Sequence, residues 1–224
     1  MKNFLALTAT VVAATLATAG AQTYTPNLNN VELGLNGGYQ QGLSGGITLR
    51  AGNVAGPFGF RVGADYSRVN DSLNDDANLG LGTWGTYKQA GGSESGHSTT
   101  LSADATYDLP SAVPGVNAYV YGGARYNMFQ AVADFGNGGG KTTYTANQIG
   151  LGAGVAAGYA ITGNLSLTGD LGYDHYFAGP ISYNDGTNSG TVSSSDGAAY
   201  TNLDSLVNQP TNVVKAKIGL AYRF

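Results

Sequence analysis

From Val31 onward the chain alternates apolar residues with polar residues or glycine, a period of two that recurs in eight separate stretches of about ten residues. Such alternation is the signature of strands with two unlike faces, and no stretch sustains a helical period. The apolar phase runs Val31, Leu33, Leu35, Gly37, Tyr39; then Leu43 to Ala51; then Phe58, Phe60, Val62, Ala64, Tyr66; then Leu101, Ala103, Ala105, Tyr107. The second half repeats it in Ala118 to Met128, Ile149 to Tyr159, Leu165 to Tyr173 and Val214 to Phe224. Eight strands of this length suit an antiparallel sheet that closes on itself, each crossing a bilayer at a tilt.

The connections alternate too. Residues 53–57, 110–116 and 160–164 are short and carry Pro57, Pro110, Pro114 and Gly163. Residues 68–98, 129–147 and 178–212 are long and rich in Gly, Asn, Ser and Asp, whereas Gln41-Gly42 makes one brief turn on that side. Short turns at one rim and long loops at the other is the layout of a membrane barrel.

A soluble barrel alternates as well, with its apolar face inward. Three features favour the inverse. The polar phase holds six acids (Glu32, Asp65, Asp104, Asp108, Asp170, Asp174) and six bases (Arg50, Arg61, Arg125, Lys215, Lys217, Arg223). Their charges sum to zero, as a narrow filled lumen requires, because unpaired buried charge is costly. Within this lumen ion-pair network, neighbouring strands offer Arg61 or Arg125 to Asp104, and Lys215 or Lys217 to Asp170 or Asp174, the register being open. Second, outward aromatics cluster at strand ends. Phe58, Tyr107, Tyr159, Tyr222 and Phe224 lie at the short-turn rim, and Tyr39, Tyr66, Tyr126, Tyr173 and Phe177 at the long-loop rim. Two aromatic girdles around an apolar band fit the two lipid interfaces. Third, an apolar face buried in a soluble core would have no need of twelve charges opposite it.

Composition excludes several classes. Charged residues make up 11% of the chain against ~25% in soluble globular proteins. The absence of cysteine removes disulfide scaffolds, thiolate zinc sites and lipidation at an N-terminal cysteine. A net charge of −4 argues against nucleic acid as a partner. Met1-Lys2-Asn3, an apolar run from Phe4 to Leu16 and Ala19-Gly20-Ala21 read as a secretory signal peptide over 1–21. Residues 22–29 then form a short periplasmic segment and 30–224 the barrel domain.

The chain closes on Lys217-Ile-Gly219-Leu-Ala-Tyr222-Arg-Phe224. This octet resembles the assembly signal of bacterial outer-membrane barrels, carried by Lys217, Gly219, Tyr222 and Phe224. With it the layout of residues 30–224 is similar to the OmpA/OmpX-like family: all-β, an eight-stranded antiparallel transmembrane up-and-down β-barrel with short periplasmic turns and long extracellular loops. The resemblance implies an outer-membrane location, lipid and the barrel-assembly machinery as partners, surface-layer or other envelope partners for the loops, and a monomer.

Other motifs carry less. Gly152, Gly154 and Ala157 fit G-x-G-x-x-A, but alternation continues through them and no helix follows. Gly138-Gly-Gly140-Lys141-Thr142 lacks the first glycine of a phosphate loop, since Phe135 occupies its place. Asp71, Asn74, Asp75, Asp76 and Asn78 concentrate oxygen ligands of the kind calcium takes, but they lack EF-hand spacing and read first as a solvated acidic loop. His97 and His175 pair with no serine at strand spacing, so neither catalysis nor a cofactor or metal is expected. Two functions remain open. One is a structural, envelope-stabilising or surface-interaction barrel with a plugged lumen, favoured because eight strands leave an interior that side chains fill. The other is a small pore or transporter, like the OmpW-type barrels, which the many lumen glycines favour.

Overall fold

The computed structural model describes residues 30–111, 113–136 and 138–224. The expected signal peptide (1–21) and the 22–29 segment lie outside them.

Eight strands form the barrel: β1 (Val31–Gln40), β2 (Leu43–Ala55), β3 (Phe58–Val69), β4 (Ser93–Asp108), β5 (Val116–Asp134), β6 (Lys141–Ala160), β7 (Leu165–Tyr176) and β10 (Asn212–Arg223). Each pairs antiparallel with its neighbour, and β1 with β10 and β5 with β6 complete the ring. Closure leaves no free edge within the ring, so the wall's backbone groups are paired between neighbouring strands, as a lipid environment demands. The outward row Ile47, Leu35, Leu220, Leu167 is matched strand to strand. At the β1–β2 turn Gln41 takes φ 62°, and a Cβ on Gly42 would collide with the Arg68 carbonyl. That crowding explains why glycine stands at the one tight turn of the long-loop rim.

The wall is apolar where it faces away from the lumen: Leu35 is 61% exposed, Ile149 65%, Leu171 61% and Ile218 62%. A surface so apolar needs lipid against it. The ten girdle aromatics are exposed at the two rims, with Phe58 edge-on to Tyr107 at 5.2 Å and Tyr222 edge-on to Phe224 at 5.3 Å.

The long connections depart from the open polar loops expected. β4, β5 and β6 run on past the girdle, so that 129–134 and 141–147 are strand. Residues 70–92 carry a short helix α1 (Trp84–Gln89). Residues 177–211 carry the hairpin β8 (Ile181–Asn184) and β9 (Ser189–Val192), paired to β6, and the helix α2 (Ala198–Leu206). The physical reason is a second core. The inward phase of β5 turns apolar at Phe129, Ala131 and Ala133, and these pack with Leu73, Trp84, Ile181, Leu206 and Val207. Trp84, Leu73 and Ile181 are fully buried. Two connections are laced together by the Leu73–Val207 bridge, by Asn74 N–H to Leu206 O at 2.8 Å and by Asn208 N–H to Ser72 O at 3.1 Å. The result is a folded cap over the long-loop end of the lumen.

Candidate functional site

The inward phase stacks into layers along the barrel axis. Nearest the short turns, Arg223 Nε donates to Glu32 at 2.9 Å, Arg50 donates to Glu32 at 3.3 Å and also pairs with Asp108, and the Arg50 guanidinium lies 4.1 Å over the Tyr119 ring. Above it, Arg61 spans the lumen, reaching Asp104 at 3.1 Å and Asp170 at 2.7 Å. Its guanidinium sits 3.6 Å over Tyr121, whose hydroxyl donates to Asp170 at 2.6 Å. Lys217 meets Asp65 at 2.6 Å in the same region.

The third layer is the most enclosed. Arg125 donates to Asp104 at 2.5 Å and to Asp174 at 2.8 Å, and all three side chains are fully buried. Lys215 adds a second cation to Asp174 at 3.0 Å. Asp104 and Asp174 balance Arg125 and Lys215 within the layer, Arg61 reaches Asp104 from the layer below, and the Tyr176 hydroxyl donates to the second Asp174 oxygen at 3.4 Å. All twelve inward ionisable residues therefore lie in ion pairs. Arg61 and Arg125 both hold Asp104, and Lys215 holds Asp174. Asp170 turns instead to Arg61 across the barrel, and Lys217 to Asp65.

A neutral layer follows that sequence reasoning missed. Asn127 donates to Gln148 at 3.2 Å and accepts from Thr100 at 3.1 Å, Gln40 donates to Thr100 at 3.4 Å, and Gln148 donates to the Pro210 carbonyl at 2.9 Å. The signal was present, since Asn127 and Gln148 continue the inward phase of Arg125 and Gly150. The last hydrogen bond ties this layer to the cap, whose buried apolar residues complete the column.

The lumen glycines make room rather than leave it. A Cβ on Gly152 would stand 2.6 Å from the Arg125 guanidinium, and one on Gly154 would strike the Tyr121 ring. Within the lower layers a cavity of about 60 Å³ remains, lined among others by Asn36, Arg50, Arg61, Tyr119 and Lys217. Asn36 Oδ1 and Arg50 Nε are buried without a protein partner, and the cavity has room for a few waters to serve them.

A crystal structure of a major outer membrane protein from Thermus thermophilus is 34% identical to this chain, covers 87% of it and 99% of its own length, and superposes with a TM-score of 0.80. The chain belongs to this family of outer-membrane β-barrels. More distant solved barrels include Neisserial surface protein A (16% identity, 87% of this chain and 95% of its own, TM-score 0.45). The N-terminal barrel domain of Pseudomonas aeruginosa OprF stands similarly (14%, 88% and 98%, TM-score 0.44). No family model and no curated protein matches.

In this outer-membrane barrel the remaining sequence motifs take structural places. Gly152, Gly154 and Ala157 lie within β6, and Lys141-Thr142 opens it. Asp75 pairs with Lys88, Asn74 and Asn78 fold their own turns, and no group of three metal-ligating side chains forms among the described residues. His97 and His175 stand on the outer wall, against Tyr66 and Phe177 respectively. Of the terminal octet, Lys217 points inward to Asp65, while Tyr222 and Phe224 are exposed on the wall.

Proposed function

We propose that this outer-membrane barrel is a structural, envelope-stabilising element whose lumen is plugged, and that its folded cap is the face it offers to surface partners. The reading is carried by the enclosed layer in which Arg125 joins Asp104 to Asp174 with all three side chains fully buried. A conducting path would have to run through that layer, displace fixed ion pairs, and then pass the apolar cap. Charge that is paired and hydrogen-bonded in a dry site gives way only at a cost of several kcal/mol. Insertion by the barrel-assembly machinery through the Phe224 octet, and export by a leader ending at Ala21, belong to the same reading. Planar-bilayer recording of the purified barrel tests it. Wild type should stay silent at moderate voltage, and a steady large conductance would replace the plug with a pore.

A further inference from the structure

Among the described residues every lysine and arginine but one is ion-paired: Arg50, Arg61, Lys88, Arg125, Lys141, Lys215, Lys217 and Arg223 each hold a carboxylate. The exception is Arg68. It is exposed on the outer wall, in the outward phase of β3, two residues beyond the girdle residue Tyr66. At about 3.4 Å per residue and a tilt of 35–45°, it stands roughly 5 Å outside the tyrosine. Girdle aromatics mark the interface, so the guanidinium is at the height of the outer-leaflet phosphates.

Its cross-strand partner is His97, and the next position on β5 is Gln130. The His97 ring is stacked on Tyr66 at 5.7 Å between centroids, 25° from parallel. That contact fixes the imidazole beside Arg68 on the lipid side of the wall. The same row continues through Thr145 and Ser182, giving neutral hydrogen-bonding groups beyond the cationic end. A long, costly-to-order arginine left unpaired on an otherwise acidic exterior is explained if its partner is supplied by the membrane. The partner must be anionic, must sit at headgroup height, and must offer several acceptor oxygens to a planar fork of N–H groups.

We infer that Arg68 and His97, backed by Tyr66, form a binding site for the phosphate headgroup of an outer-leaflet lipid. Arg68 supplies a two-pronged grip on the phosphate oxygens, His97 a further donor, and Tyr66 both the imidazole's support and a surface for the glycerol and upper acyl chain. This site lies on the outside of the wall, so it is independent of whether the lumen is plugged, and conductance has no bearing on it.

Native mass spectrometry of the purified full-length barrel, titrated with phosphatidylglycerol or phosphatidylcholine, reads the site directly. Wild type should retain one phosphatidylglycerol in preference to phosphatidylcholine. Arg68→Gln should lower that retention about five-fold, the ratio one surface arginine gives at an anionic membrane. Arg68→Lys should keep part of it, and His97→Gln should weaken it further in combination. Lys141→Gln, at the tip of the β5–β6 hairpin, should leave it unchanged. Folding of each variant is checked by gel mobility before and after heating; if the double variant fails to fold, Arg68→Gln alone decides. Equal retention of the two lipids by wild type, or full retention by Arg68→Gln, would overturn the assignment. Displacement by an equal concentration of inorganic phosphate would overturn it as well, marking the site as one for free anions.

Discussion

Replacing Arg125 with alanine is expected to destabilise the barrel more than any other single change in the lumen. The side chain donates to Asp104 at 2.5 Å, to Asp174 at 2.8 Å and to the Ala124 carbonyl at 2.9 Å. Its removal leaves one uncompensated negative charge among fully buried groups. Breaking a buried pair in this way costs ~3–5 kcal/mol. Here each carboxylate keeps a second cation, Arg61 for Asp104 and Lys215 for Asp174, which places the loss at the lower end, about 3 kcal/mol or roughly a hundred-fold in the unfolding equilibrium. Asp174→Asn creates the opposite imbalance, and the double variant is neutral again. The pair should therefore be non-additive, the double variant falling short of the sum by about 1–3 kcal/mol. Urea titration in lipid vesicles, followed by far-ultraviolet circular dichroism, measures all three. Tryptophan fluorescence would mislead, since the chain's single tryptophan is Trp84, which reports the cap. A loss below about 1 kcal/mol for Arg125→Ala, or strict additivity, would mean that water already screens the layer and that the plug argument fails with it.

Deleting Phe224, which is 67% exposed at the rim, should reduce the membrane-inserted yield in cells while leaving detergent refolding nearly intact; equal loss in both would reduce it to a packing role. Trp84→Ala removes a fully buried ring that also donates to Glu94 at 2.9 Å, a loss of ~3–5 kcal/mol that falls on the cap and not on the barrel wall. Protease should then cut within 70–92 and 177–211 with the barrel still folded by gel mobility, whereas wild type should be nicked only near exposed tips such as Leu81; an unchanged digestion pattern would refute the cap as a cooperative unit. The Asp134 carboxyl is held below its ordinary 3.8 by the hydrogen bond from Lys141 and by the Gly136 N–H. Its contribution to the β5–β6 hairpin is thus whole above pH about 4 and lost as pH falls through the depressed value, so amide exchange at 135–140 should accelerate only in acid, and acceleration already at pH about 6 would point elsewhere. N-terminal sequencing of membrane-fractionated protein should begin at Gln22; recovery with Met1 retained would remove the signal peptide.

The barrel was legible because a period of two is a property of each strand by itself. Leu35, Ile47 and Leu220 can be assigned to one face without knowing that they adjoin. The pairing of charges was legible only where neighbours in sequence are neighbours in the sheet, as for Arg61, Asp104 and Arg125 on β3, β4 and β5. Asp170 reaching Arg61, and Lys217 reaching Asp65, depend on the stagger of the closed ring and on contacts across its interior, which no local pattern encodes. The cap was hidden for a different reason. Leu73 and Trp84 are isolated apolar residues in Gly-, Asn- and Ser-rich segments, and Tyr200, Leu203, Leu206 and Val207 recur at helical spacing over only two turns, too short a run to stand out. The clearest sign was the inward phase of β5 running on as Phe129, Ala131 and Ala133, apolar where a solvated loop would not be.

The lumen's ionic character also bears on how the barrel finds its register. With lipid outside, an apolar lumen would make the two faces alike, and sliding a strand by one residue would cost little. The twelve inward charges remove that freedom. A one-residue slip of β5 would turn Arg125 toward lipid beside the girdle residue Tyr126, where an exposed arginine costs at most about 1 kcal/mol, and its larger effect would be to leave Asp104 and Asp174 short of a cation. A slip of β10 would expel Lys215 and Lys217 together. Replacing the network by apolar residues of matching volume need not destabilise the folded barrel, because buried ion pairs often break even against good packing. What such a replacement would lose is the penalty on every misregistered alternative, and that penalty is largest while strands are pairing in the membrane.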